Sequence, residues 1–197
     1  MYQNFNSGWI EVICGPMYSG KSTELRRRLV ALTYAKKDII AFKPAIDNRY
    51  SDTDIATHEG EKYPCIPIKD LGDAFKNINE REKLPDVIGV DEVQFFNKYS
   101  VNILEDWANK GIRVICAGLD MDFRGQPFDI MEELLPRAEF VTKLTAVCTV
   151  CGCAATRSQR LIDGKPAPYN SPTIMVGAKE TYEARCRKHH AVPSYDN

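Results

Sequence analysis

No apolar run in the sequence approaches the roughly 20 residues that a bilayer-spanning helix requires, so a membrane-spanning helix is excluded. Charge of one sign is lacking as well. Lys plus Arg number 26 and Asp plus Glu 27, a net charge of −1, which argues against a nucleic-acid binder working by charge alone. Neither a membrane nor a nucleic acid is therefore expected as a partner. The chain has no internal repeat and no low-complexity tract. Met1 to Gly8 is polar and lacks a basic-then-apolar signal pattern, so a cytoplasmic location is expected. Against these absences, 44% apolar and 27% charged residues in a chain of 197 describe an ordinary globular protein. That length suits one domain, or one domain with a small appendage.

Apolar periodicity divides the chain in two. Trp9 to Cys14 reads as a strand, followed by a glycine-containing turn and a helix over about Lys21 to Lys37, with Leu25, Leu29 and Leu32 on one face. Ile39 to Phe42 and Cys65 to Ile68 read as short strands, and polar residues 44 to 60 between them as a long loop. A helix over Leu71 to about Lys83, a strand over Asp86 to Asp91, and a helix carrying Val101, Leu104, Trp107 and Ala108 follow. Strands at Ile112 to Ala117 and Ala138 to Lys143 complete the pattern. This alternation predicts an α/β fold, a mostly parallel sheet flanked by helices. Helical periodicity stops after about residue 145, where cysteines, Gly and Pro appear. The expected division is 1–145 for the α/β domain and 146–197 for a cysteine-containing one.

The turn after the first strand, Gly15-Pro16-Met17-Tyr18-Ser19-Gly20-Lys21-Ser22, fits G-x-x-x-x-G-K-[ST] between a strand and a helix. Glycines let the backbone bend until several N–H groups face one anion, and the helix N-terminus adds its dipole. Lys21 can meet β- and γ-phosphates, and the Ser22 hydroxyl can ligate Mg²⁺. A plain glycine-rich turn is the bland alternative. Asp91-Glu92 closes the strand Val87 to Val90. Asp91 is the candidate for ordering the Mg²⁺ shell. Glu92, at the carboxyl edge of the sheet, can take a proton from an attacking hydroxyl or water; otherwise it is a solvated loop acid.

Seven cysteines is an odd number, and in a reducing compartment clustered ones point to metal before disulfide. Cys148-x2-Cys151 and Cys186-x2-His189 are two short knuckles whose four ligands suit a closed, structural Zn²⁺ site. Cys153 and His190 lie one or two positions from better-spaced ligands and remain alternatives.

Taken together, these motifs resemble the type II thymidine kinase family, the tetrameric, zinc-containing kind, over nearly the whole chain. Phe42-Lys43-Pro44 with Asp47-Asn48-Arg49-Tyr50-Ser51 resembles its flexible loop, and Asp91-Glu92-Val93-Gln94-Phe95-Phe96 its acidic motif. Gly118-Leu119-Asp120 with Phe123 and Phe128 resembles its nucleoside-pocket segment, and Val176-Gly177-Ala178 with Tyr182 the segment that closes over the base. The resemblance implies a P-loop NTPase-type sheet with a small C-terminal zinc ribbon carrying a long substrate-covering loop. It implies that ATP, with catalytic Mg²⁺, phosphorylates the 5′-hydroxyl of thymidine and deoxyuridine, giving the monophosphate and ADP in pyrimidine deoxynucleoside salvage. A homotetramer and feedback inhibition by dTTP are implied too.

The same resemblance makes Glu92 the base, with Lys21 beside it in catalysis. It places Gln94 between the nucleotide and the substrate, and Asp47, Arg49, Phe95, Phe123, Phe128 and Tyr182 at the substrate. One departure is His189, where some members have cysteine. Thr173, Ile174, Met175, Val176 and Gly177 offer few side chains able to read a base edge, so their backbone groups are the expected readers of thymine. Met17, Leu119 and Phe123 could enclose the ring and its 5-methyl group, although Leu119 could equally be core. The rival reading, a zinc-ribbon ATPase that binds nucleic acid, finds only seven Lys or Arg against four Asp or Glu between Ala154 and Asn197.

Overall fold

A computed structural model of the protein describes residues 8–46, 54–56, 62–173 and 180–194. The first apolar run forms β1 (Trp9–Cys14), and α1 (Lys21–Tyr34) follows the glycine turn. The chain continues through β2 (Ile39–Pro44), β3 (Asp54–Ala56), β4 (Lys62–Pro64), β5 (Ile66–Ile68) and α2 (Leu71–Asn79). Then come β6 (Val87–Val90), α3 (Ser100–Asn109), β7 (Arg113–Gly118), α4 (Asp129–Leu134) and β8 (Phe140–Lys143). Six of these strands make one sheet in the order β5-β2-β6-β7-β1-β8, and every pairing in it is parallel.

Strand alternation assigns each face its own core. On β1 and β7, Ile10, Val12, Cys14, Val114 and Cys116 face α2, α3 and α4, in a cluster that includes Leu71, Leu104, Trp107 and Met131. Ile13, Ile115 and Ala117 point the other way, to Leu25 and Leu29 of α1. Runs buried on both faces explain why these strands read as continuous apolar segments. The Trp107 ring stacks on Phe42 at 6.2 Å between centroids, tying α3 to β2. No described helix is long and apolar enough to cross a membrane.

The structure shortens or breaks several expected elements. Helix α2 stops at Asn79, because after Ile78 the sequence offers no apolar residue until Leu84. Its start is fixed by Asp70, whose carboxylate accepts from the Gly72 N–H at 2.6 Å. The stretch read as a loop over 44–60 contains β3, which pairs antiparallel with β4 and buries Ile55 against the α1 face. Helix α4 is too short for its apolar pattern to register in the sequence, yet it buries Ile130, Met131 and Leu134.

The C-terminal part departs most. The spacing of the metal ligands predicts a loop over 152–185 tied at its base, and four strands form among the described residues of that stretch. Strands β9 (Ala146–Val147) and β10 (Ala154–Ala155) form a small hairpin. Strand β11 (Arg157–Ile162) pairs antiparallel with β12 (Lys165–Pro166) on one side and β13 (Glu180–Arg185) on the other. Its own apolar core is small: Ala146, Cys148, Ala155 and Ala184, with Cys186 against it.

Among the described residues, two charged groups are buried in the main sheet, Glu11 on β1 and Lys43 on β2. Glu11 on β1 is 5% exposed and receives Arg28 Nη1 at 2.7 Å, Arg113 Nε at 2.6 Å and Trp9 Nε1 at 2.7 Å. Burial alone would raise its carboxyl, but these donors outweigh burial and hold it below the ordinary 4.5. A depressed folded value means that ionised Glu11 stabilises the fold above 4.5 and that this contribution is lost as pH falls through the lower folded value. Glu11→Gln should cost about 1–3 kcal/mol at neutral pH. Denaturant titrations should also show a flatter stability profile below pH 4.5 for the variant than for the parent chain.

Candidate active site and metal centre

The carboxyl ends of β1, β6 and β7 lie side by side, so the turns that follow them share one sheet edge. Gly20 opens α1 in the left-handed region (φ 81°), which a glycine adopts without strain, and no side chain among the described residues caps the helix there. The dipole at the N-terminus of α1 thus favours an anion at this turn. Lys21 is 8% exposed, and its Nζ folds back to donate to the Pro16 carbonyl at 2.8 Å; the Ser19 hydroxyl donates to the same oxygen at 2.8 Å. Tyr18 is half-exposed with a φ of 63°. The Met17 N–H donates across to Ser158 Oγ on β11 at 3.0 Å, so the turn is also braced from the C-terminal sheet.

Ser22 and Asp91 meet, as their expected roles require. The Ser22 hydroxyl donates to Asp91 Oδ1 at 3.2 Å, and Asp91 is 6% exposed. A buried carboxylate beside a hydroxyl at a phosphate cradle is an oxygen-only donor set of the kind Mg²⁺ takes. Glu92 follows with φ 48° and ψ 42°, a left-handed conformation that costs a non-glycine residue of order 1 kcal/mol or more and gathers at functional sites. Its carboxylate is held by Gln94, which is 5% exposed: Nε2 of Gln94 donates to Glu92 Oε2, and its Oε1 accepts from the Leu119 N–H at 3.0 Å. Phe95, in the same 3-10 turn, is half-buried.

Beyond β7, Leu119 is half-buried and Phe123 fully buried, on a turn built by Asp122, whose Oδ1 accepts the N–H of Arg124 at 2.8 Å and of Gln126 at 3.0 Å. Phe128 instead leads into α4 and packs against the main core cluster. Tyr182 on β13 sits opposite Arg160 on β11 and accepts from its Nε at 2.7 Å. Thr173 Oγ1 accepts from Arg124 Nη2 at 2.7 Å. Asp47, Arg49, Ile174, Met175, Val176 and Gly177, together with Met1 to Ser7, lie outside the described residues. Arg160 stands in no recognisable spacing, so the sequence does not mark it, and His190 was expected only as an alternative metal ligand. The remaining thiols near the cradle are poor nucleophiles. Burial, with Asp120 nearby, pushes Cys14 up to about 11, and burial raises Cys116 further still.

The four expected metal ligands converge. Sγ of Cys148, Cys151 and Cys186 and a ring nitrogen of His189 all lie within 4.8 Å of one another. Two backbone knuckles build the cluster: Cys148 N–H donates to the Cys153 carbonyl at 2.8 Å, and His189 N–H to the Cys186 carbonyl at 3.0 Å. Tetrahedral Zn²⁺ with bonds of about 2.3 Å to sulfur and 2.0–2.1 Å to nitrogen needs ligand–ligand edges near ~3.6–3.8 Å. The edges Cys151 Sγ to Cys186 Sγ (3.8 Å) and Cys148 Sγ to His189 Nδ1 (3.8 Å) match, and Cys186 Sγ to His189 Nδ1 (3.3 Å) is shorter. Burial opposes ionisation of Cys148, but backbone N–H groups of Cys186, Val150 and Cys151 outweigh it and hold the thiol at about 5, ready to bind as thiolate. Cys153 lies outside the four-ligand cluster, giving its carbonyl to the Cys148 N–H, and His190 turns away. Its Nε2–H donates to the Phe123 carbonyl at 2.8 Å, which joins the metal centre to the β7 turn.

Residues 8–190 match the family model described as thymidine kinase. Among solved structures, the cytoplasmic domain of the Thermomonospora curvata type VII secretion ATPase EccC is similar at 15% identity and a TM-score of 0.48, over 95% of this chain and 25% of that one. Domain III of the Thermotoga maritima replication initiation protein DnaA is similar at 15% identity and a TM-score of 0.39, over 68% of this chain and 54% of that one. The chain thus spans about a quarter of the first and about half of the second.

With so small an apolar core around it, the metal centre should supply much of the local folding energy. Elemental analysis should find one zinc per chain, reduced by Cys151→Ser and unchanged by Cys153→Ser. Hydrogen exchange in Cys151→Ser should rise over residues 145–194 far more than in the parallel sheet. Full zinc in Cys151→Ser would remove Cys151 from the ligand set.

Proposed function

The chain belongs to the thymidine kinase family, and from that premise we propose that it transfers the γ-phosphate of ATP to the 5′-hydroxyl of thymidine and deoxyuridine, giving the monophosphate and ADP. The observation that carries this reading is the contact of Ser22 with Asp91 at the sheet edge where Glu92 also emerges. Phosphoryl transfer needs little covalent chemistry from the protein. It needs phosphates held in line, their charge neutralised and a hydroxyl positioned.

In this reading the turn Gly15 to Ser22 and the α1 N-terminus cradle the phosphates, with Lys21 leaving the Pro16 carbonyl to meet them. Mg²⁺ held by Ser22 and Asp91 would supply charge neutralisation there. Glu92 Oε accepts the proton of the 5′-hydroxyl as its oxygen attacks phosphorus, and Gln94 fixes the direction of that carboxylate. Met17, Leu119, Phe95 and Phe123 enclose the base, and Tyr182 closes the sugar side. The backbone of residues 173–177 reads O2, O4 and N3–H, as Asp47 and Arg49 serve the substrate from the β2–β3 connection. Cytosine offers the opposite donor and acceptor at position 4 and N3, leaving buried groups unpaired at ~1–3 kcal/mol each. Division into a nucleotide-binding part (1–145) and a zinc part (146–197), a homotetramer and inhibition by dTTP belong to the same proposal.

A coupled assay with ATP and a panel of nucleosides tests it. Thymidine and deoxyuridine should both turn over, with deoxycytidine and purine nucleosides lower in kcat/KM by about a hundredfold or more. Glu92→Gln should lower kcat by roughly 10²–10⁴ while ATP binding, read by equilibrium titration, stays within about twofold. Lys21→Ala should abolish transfer. Comparable kcat/KM for deoxycytidine and thymidine would overturn the assignment of the base, and near-normal turnover in Glu92→Gln would overturn that of the proton acceptor.

A further inference from the structure

Arg160 is 1% exposed, one of the largest fully buried side chains in the protein. Its guanidinium donates through Nε to the Tyr182 hydroxyl at 2.7 Å, through Nη1 to the Pro172 carbonyl and through Nη2 to the Thr173 carbonyl. It also lies over the Phe123 ring at 4.3 Å and over the Tyr182 ring at 5.3 Å. These acceptors are neutral, so hydrogen bonds satisfy the donors without cancelling the charge. An apolar side chain at this place on β11 would fill the space at lower desolvation cost. Among the described residues, this buried cation engages Phe123, Tyr182 and Thr173, three of the residues expected around a nucleoside, which points to work at that site.

We propose that Arg160 is the positioning residue of the nucleoside pocket, fixing Phe123, Tyr182 and the Pro172–Thr173 backbone together and so setting the preference for thymine over cytosine. This rests on the thymidine kinase reading above. The guanidinium is planar and presents its donors as a rigid fork, so one side chain fixes two successive carbonyls and a phenol in a common plane. In a trans peptide the N–H points opposite to the preceding C=O. With the Pro172 carbonyl turned to Arg160, the Thr173 N–H is turned the other way. It becomes a fixed donor that suits the carbonyl O4 of thymine and repels the amino group of cytosine. The Thr173 side chain is held separately by Arg124 through Oγ1, which leaves its backbone as the available group. A lysine is a point charge and cannot hold the three oxygens at once.

Steady-state kinetics of Arg160→Lys and Arg160→Met test the assignment, after the parent enzyme has been shown to phosphorylate thymidine. A parent enzyme inactive on thymidine would overturn the functional reading itself, and is seen before any variant is compared. In both variants KM for thymidine should rise about tenfold or more, KM for ATP should stay within about twofold, and the thymidine-to-deoxycytidine ratio of kcat/KM should fall about tenfold. Thermal unfolding measured in parallel separates a purely structural role. A lowered Tm with unchanged thymidine KM and unchanged ratio would overturn the proposal, as would an equal rise in both KM values. Should Arg160→Lys not fold, Tyr182→Phe decides, because it deletes only the oxygen that Nε donates to. A threefold or greater rise in thymidine KM with ATP unaffected supports the role, and an unchanged thymidine KM contradicts it.

Discussion

The side-chain amide of Gln94 holds two turns of the sheet edge against each other, and the rest of the site depends on that tie. Its nitrogen engages the Glu92 carboxylate and its oxygen the Leu119 N–H, so the acid after β6 and the segment after β7 share one buried amide. The fit leaves no slack. A Cβ at Gly118 would stand 2.5 Å from Gln94 Oε1 and 2.9 Å from a Val93 methyl, so only glycine lets β7 approach this closely. Glu92 accepts a left-handed backbone within the same arrangement. A strained residue with its carboxylate already oriented loses little freedom when substrate binds, which is where much of a positioning enzyme's rate advantage originates.

A second set of contacts fastens the C-terminal sheet to this edge. Ser158 receives the Met17 N–H of the phosphate cradle, and His190 donates to the Phe123 carbonyl. Gln159 clamps the segment after His190 with two bonds of 2.8 Å to Ala191. The apolar core behind these contacts consists of a few small side chains, too little to hold a sheet of this size unaided. The Cys3His cluster therefore does for the C-terminal sheet what Trp107 and its neighbours do for the parallel one. Through His190, beside His189, it also reaches the Phe123 turn after β7.

Much of this was legible in the sequence, for physical reasons that differ by element. Strands β1, β6 and β7 are buried on both faces and so appear as unbroken apolar runs. The phosphate turn is fixed by backbone geometry that few residue types allow, and zinc knuckles by ligand spacing, and the structure brings Ser22 to Asp91 and the four Cys and His side chains into one cluster. Local spacing carries no information about long-range partners. Arg160 gives no sequence signal because its role comes from pairing with Tyr182 across β11 and β13, and those strands were themselves read as loop. Their residues alternate between neighbours in the sheet and contacts with the site, so neither face is uniformly apolar. Helix α4 and strand β3 were missed because six and three residues are too few to show a period. Phe128 was placed at the substrate by resemblance, and the fold packs it against the core beside α4.

The proposed transfer turns on Glu92 receiving the proton of the nucleoside hydroxyl at the edge where the phosphate cradle ends. A crystal structure with thymidine and a non-hydrolysable ATP analogue bound measures this directly. The 5′-oxygen should lie about 2.6–3.2 Å from a Glu92 carboxylate oxygen, or one water away, and in line with the γ-phosphorus. A nucleoside whose 5′-oxygen points away from Glu92, or whose nearest carboxylate is that of another residue, would contradict the account.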